Sequence, residues 1–426
     1  MIRTLLLTSA LLLAGSAPLA AQAERVVIIQ GATVVPVVGT RVPGGDVLIR
    51  GEHIEAVGRG LAVPPGATVI DGRGLFLYPG LINSGTRLGL QEIGSVPGGN
   101  DTRELGTFNP HNVILSAVNP HSELIPVTRV NGITTAMTAA DGGLISGIAA
   151  LIDLAGWTSD EMAEVPHLAM SVNYPRTAGG RFGQRAAQQG GAEQVSRQLT
   201  ELREYLTRAQ TYAATRARMA AAGQQLPRMD LEMEAMVPVM EGRLPVVIEV
   251  STAAEIRGAI ALADSFKLKP ILAGANEGWA VADLLAERKI PVILGPLTST
   301  PSDDDPYDLI YANPGVLAKA GVLVAFRTND AAEARNLPYN AALAVAYGMD
   351  AEEAIRALTI NPSRIWGVGD RLGSIEPGKV ANLQLTTGDP LDVRTEVRQV
   401  FIRGVAIQMT DRHTELYQEF RARPKP

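Results

Sequence analysis

The sequence predicts an α/β protein, a (β/α)8 TIM-type barrel carrying a small β-sandwich domain formed from both chain ends. Three observations predict it. Eight short apolar runs alternate with helical patterns between about residues 80 and 367, the arithmetic of parallel strands buried on both faces. Short β-branched pieces broken by Gly-containing turns occupy both ends of the chain. No Gly-x-Gly-x-x-Gly turn follows the first apolar run, which disfavours a doubly wound open sheet.

The elements follow in chain order. Residues 1–23 place Arg3 ahead of the apolar stretch Leu5 to Leu13 and end in Ala21-Gln22-Ala23, the layout of a cleaved secretory signal peptide. The stretch falls short of the ~20 residues that span a bilayer. Export to the periplasm or medium is therefore expected, with no membrane anchor in the mature form. Residues 24–79 and 368–410 form the composite β-sandwich domain. The barrel occupies 80–367, with strands beginning at Leu81, Ile133, Ile148, Leu168, Val246, Pro270, Pro291 and Val322. A helical insertion spans about 190–225, where Val195, Leu199, Leu202, Leu206, Ala209 and Tyr212 recur at three-to-four spacing and so share one face. Such a face ordinarily packs on a core; a lid or partner surface is the alternative. Residues 411–426 are read as a C-terminal tail.

Composition narrows the function. Hydrophobic residues at 46% and charged residues at 19% exclude a disordered chain. Aromatics at 4% argue against an aromatic-lined nucleic-acid platform, and a net charge of -6 without a Lys/Arg run argues against phosphate tracking. With no cysteine, disulfides and thiolate metal sites are excluded. The expected partner is a small-molecule ligand or substrate; homo-oligomerisation is left open.

The segments "PGLIN" (79–83), "RVNGITT" (129–135), "NLPYNAALAVAYGM" (336–349), "ALTINPSRIWGV" (357–368) and "RLGSIEPGKVANLQLTTGDPL" (371–391) resemble the amidohydrolase superfamily, in particular its exported, imidazolonepropionase-like branch. The resemblance implies hydrolysis of a non-peptide C–N bond in an amide-like or cyclic small molecule, with zinc or another divalent metal at the barrel mouth. Such a metal lowers the pKa of a bound water and polarises the scissile carbonyl. In that family the first strand ends in Asp-x-His-x-His; the matching positions here are Asn83, Gly85 and Arg87. The strand-four Lys or Glu matches Leu168, the strand-five His matches Glu249, and the strand-six His matches Gly274. The strand-eight Asp matches Asp330, with the register open by one to Asn329. The metal ligands are thus largely replaced, and no cofactor is predicted.

Of the five histidines, His53 and His413 fall in the terminal β-rich parts, and His167 is expected at the N-terminal end of its strand. His111 and His121, in two "NPH" segments, are left to reach the mouth or to cap turns after Asn-Pro. Two functions remain. In a hydrolase with a rebuilt site, Glu249 and Asp330 are the acid–base pair and Arg87 stabilises an oxyanion, with Asn83, Glu277, His111 and His121 as binding residues. Alternatively, the chain is a non-catalytic small-molecule-binding or assembly protein, with Arg87 and a mouth carboxylate paired as a structural salt bridge.

Overall fold

The computed structural model describes residues 25–176, 191–225, 228–298 and 306–424; the expected leader at 1–23 lies outside them. Strands β1 (Val26–Val34), β2 (Val42–Arg50), β3 (His53–Gly58), β4 (Thr68–Asp71) and β5 (Phe76–Pro79) come first. The barrel strands follow: β6 (Leu81–Thr86), β7 (Ile133–Thr138), β8 (Ile145–Asp153), β9 (Ala163–Asn173), β10 (Val246–Val250), β11 (Pro270–Gly274), β12 (Val292–Leu294) and β13 (Val324–Phe326). Strands β14 (Leu383–Thr386), β15 (Val397–Ile402) and β16 (Val405–Ala406) return to the first sheet.

The period-2 alternation of a strand separates the two barrel faces. Ile82, Met137, Ala149, Leu151, Leu168, Ala169, Val247, Ile271, Ala273, Ile293 and Ala325 form one buried cluster. They draw on all eight strands, so they mark a common interior. Their neighbours in sequence, such as Val246, Ile248 and Val250 on β10, belong to a second cluster with the surrounding helices. Trp366, Val368 and Leu372 pack against the interior set. The sheet nearly closes where β13 meets β6: Gly85 O accepts the N–H of Asn329 at 2.8 Å, and Asn83 Nδ2 donates to Thr328 Oγ1 at 2.9 Å.

The barrel departs from the all-parallel expectation in one strand. β8 runs antiparallel to both β7 and β9. Only residues 139–144 join β7 to β8, and a parallel crossover needs a dozen residues or more. Gly142 and Gly143, both at positive φ (92° and 62°), make the reversal. β9 also begins earlier than Leu168, so His167 lies within the strand, exposed, rather than at its start.

The expected sandwich is one eight-stranded hydrogen-bonded sheet, ordered β16-β15-β14-β5-β1-β2-β3 with β4 beside β1. β1 pairs with β4 through residues 27–30 and with β5 through 33–34. The changeover falls at Gly31, whose φ is 76°. Ile54 on β3 and Phe401 on β15, near opposite ends of that order, share one core cluster, so the sheet folds back over itself.

The insertion holds helix Ala192–Ala221, followed by helix Leu231–Met240. Leu202, Leu206 and Ala209 are buried as their spacing predicts, while Val195, Leu199 and Tyr212 are half-buried. Tyr205 stacks on Phe108 with ring centroids 4.1 Å apart, which ties this helix to the loop after β6. Residues 177–190, which lead into the insertion, lie outside the described set. The C-terminal tail contains helix Arg412–Arg421, capped by the Asp411 side chain; His413 is on this helix, not in a β-rich segment.

Below the barrel, where the returning sheet meets β7, β8 and β9, an ionic network is buried. Asp153, fully buried, accepts from Arg403 Nε at 2.8 Å, Thr135 Oγ1 at 2.9 Å and Asn382 Nδ2 at 2.9 Å. Glu164 is paired with Arg371 at 2.6 Å and lies 3.6 Å from Arg403. Burial pushes the Asp153 and Glu164 carboxyls above their ordinary range, against the pull of the neighbouring guanidinium groups.

Candidate functional site at the barrel mouth

Strand periodicity also decides what reaches the mouth. Val247 and Ala325 point into the barrel, so Glu249 and Arg327, two residues further along, lie on the same side one layer higher. They meet there as a forked pair: Arg327 Nη1 donates to Glu249 Oε2 at 2.7 Å and Nη2 to Oε1 at 2.6 Å. Arg327 Nε donates to Gly295 O at 3.1 Å, so the guanidinium is held on three sides. Arg327 is only 6% exposed, while the Glu249 side chain keeps 22% of its surface. Such paired charge-assisted bonds fix geometry as well as charge.

Glycines make the space for this fork. A Cβ at Gly85 would lie 2.9 Å from Arg327 Cδ. One at Gly274 would lie 2.5 Å from the backbone O of Val250, 3.1 Å from Glu249 Oε1 and 3.4 Å from Arg327 Nη2, and one at Gly295 would lie 2.4 Å from the backbone O of Arg327 rather than from the fork. Two of the three, Gly85 and Gly274, are the positions matched to histidine ligands in the resemblance. A permanent cation therefore stands against the space where those imidazoles would converge.

The described residues at the mouth do not fit a divalent metal. Glu249 is a potential oxygen donor at the centre, and both of its oxygens are engaged by Arg327. Leu168 belongs to the apolar interior. Among the described residues, no group of three or more His, Cys, Asp or Glu side chains converges as a ligand set.

The surrounding cavity has a volume of about 440 Å³ and is bounded by the strand ends of β6, β7, β9, β10 and β11, the β7–β8 turn and the segment after β13. Arg87 lines it and is ion-paired with Asp141 from the β7–β8 turn. A groove of about 610 Å³ between helices Ala192–Ala221 and Leu231–Met240 is larger. Its charges largely satisfy one another, as in Arg216–Glu234 at 2.8 Å and Tyr212 Oη to Glu234 at 3.1 Å. The mouth is the stronger candidate because polar groups from distant parts of the chain converge on it.

The other expected site residues are dispersed. Asp330 does not line the mouth; its Oδ1 accepts the N–H of Glu333 at 3.0 Å, capping a turn, and Asn329 takes the lining position instead. Glu249 and Asp330 therefore do not form the expected facing pair. Asn83 is fully buried and bridges β6 to Thr328, without lining the cavity. Glu277 accepts from Ala253 N at 2.8 Å at the start of helix Ala253–Phe266, a capping position. His111 lines a separate surface hollow with Glu104 and Asn109. His121 lies edge-on to Trp157 with centroids 4.9 Å apart, and its backbone N–H donates to Asn119 Oδ1, the turn-capping alternative. Arg327 and Asp141 were absent from the sequence reading. Arg327 was accessible to it, because it follows the apolar run "VLVAF" in phase with Ala325.

Comparison with known proteins finds similarity to amidohydrolases. The model of the amidohydrolase family matches residues 310–407. An amidohydrolase from Thermotoga maritima MSB8 superposes with a TM-score of 0.81 at 27% identity, covering 90% of this chain and 99% of that one. The amidohydrolase tasK of Hapsidospora irregularis is 24% identical over 395 residues, 85% of this chain; the chain spans 40% of that relative's length. The N-substituted formamide deformylase of Arthrobacter pascens is 43% identical over 61 residues, 13% of this chain.

Proposed function

Taking the amidohydrolase superfamily, supported by the family-model match and the Thermotoga neighbour, as the premise, we propose that this chain binds a small polar molecule at its barrel mouth without a metal-activated water. The observation that carries the proposal is the Arg327–Glu249 fork, seated among glycines where a ligand set would have to converge. Metal catalysis in this fold needs an ion to acidify water and polarise a carbonyl. A guanidinium polarises a carbonyl and stabilises the developing oxyanion but supplies no hydroxide, so the fork replaces at most half of that chemistry.

A second reading, hydrolysis of an amide-like C–N bond by the chain's own side chains, is favoured by Glu249 and the ion-paired Arg87 sharing one cavity. In that reading Glu249 moves the proton and Arg87 or Arg327 faces the developing oxyanion. One experiment separates the two. The purified chain is treated with chelator and tested for thermal stabilisation by, and turnover of, a panel of small amides, cyclic ureides and formamides, each with and without a carboxylate group. The proposal expects stabilisation that survives chelation, with no turnover. Turnover that also survives supports the second reading; stabilisation or turnover lost on chelation and restored by zinc contradicts both.

A further inference from the structure

We propose that the mouth cavity selects small molecules bearing carboxylate groups, an inference that rests on the reading of the mouth as a ligand pocket. Among the described residues, the cavity lining holds four guanidinium groups, Arg87, Arg103, Arg176 and Arg327, against two carboxylates, Asp141 and Glu249. Two positive charges are left over in a chain whose formal net charge is -6. Arg87 and Arg327 are taken by Asp141 and Glu249, which identifies Arg103 and Arg176 as the surplus. Neither has an ion-pair partner among the described residues.

Two further donors point the same way. Ser84 is 1% exposed and its Oγ has no hydrogen-bond partner, and the Arg87 Nε is likewise buried and unpartnered. Both residues belong to the cavity lining. A buried hydroxyl or guanidinium N–H left without an acceptor costs free energy that an anionic ligand would recover. The walls of a concave site also focus the field of the uncompensated cations, raising the local concentration of anions. A neutral amide carbonyl accepts from the same donors but gains nothing from the field, so charge is what separates acids from amides. The volume of about 440 Å³ sets an upper limit near that of a small metabolite.

The test is calorimetric titration of the full chain with glutarate, N-acetylglutamate and their uncharged diamides, at low and moderate salt, for wild type and Arg103→Gln. Arg103 is exposed and makes no ion pair among the described residues, so its replacement is expected to leave the fold intact. The inference expects the carboxylates to bind and the diamides not to. It expects affinity to fall with salt, and Arg103→Gln to weaken carboxylate binding about tenfold, roughly one charge-assisted hydrogen bond. Equal binding of acids and diamides, or no effect of Arg103→Gln, overturns the inference while leaving the pocket reading standing. Binding of no member at all overturns both.

Discussion

Replacing Arg403 with Ala is expected to cost about 3–5 kcal/mol at neutral pH, because it leaves Asp153 as an uncompensated charge beneath the barrel. Asp153 is fully buried, and Arg403 supplies its only cationic partner among the described ion pairs. The pH dependence gives the prediction its specificity. Burial raises the folded-state pKa of Asp153 and Glu164 above the ordinary carboxylate values of 3.8 and 4.5. A group raised in this way contributes its full stability below the unfolded-state value and loses it as pH rises through the folded-state value. Removing Arg403 raises both folded-state values further. The deficit should therefore be largest at neutral pH and shrink on acidification, as the folded state takes up a proton. Urea unfolding of wild type and Arg403→Ala at about pH 7.5 and about pH 5.5 reads it directly. A deficit that is the same at both values, or smaller at the higher one, contradicts the account.

The mouth fork gives the second large effect. Glu249→Ala strands a guanidinium whose side chain is only 8% exposed, and the expected loss is about 3 kcal/mol, at the lower end because water still reaches the Glu249 side. Arg327→Met strands the carboxylate instead and should cost somewhat less, since the Glu249 side chain keeps 22% of its surface. The double variant Glu249→Ala/Arg327→Met removes both charges and should recover most of the loss, because replacing a buried pair by apolar groups is often neutral. Denaturant midpoints for the four proteins form a double-mutant cycle, with an expected coupling above about 1.5 kcal/mol. Additive single effects would mean that the fork is not a closed unit, and the argument for its holding the mouth would fail.

The fold was largely legible because strands buried on both faces read as unbroken apolar runs, and every predicted barrel run became a strand. Direction was not legible to the same degree. "ADGGL" between β7 and β8 carries a turn signal, yet the barrel pattern implied a crossover, and only the reversed β8 shows which governs. The site was read less well for a physical reason. Motif positions without the family's ligand residues say only what a strand does not carry, whereas the fork at the mouth is supplied by Arg327, a residue outside the matched motif. Its partner Glu249 was identified, but its role depends on a contact across 78 positions of chain. Asp330 shows how a one-residue register choice at a strand end exchanges a lining position for a turn cap. The histidines were placed less well: His167 lies within β9, His413 lies on a helix, and His111 and His121 remain in surface loops away from the mouth.

The most direct test of the central claim, that an arginine–carboxylate fork holds the place a divalent ion would need, is elemental analysis of the chain after purification and dialysis against zinc, manganese or nickel. The account predicts far less than one equivalent of any of these metals in the wild type, with no gain on adding zinc. One or more tightly bound equivalents, lost on replacing Glu249, would contradict it.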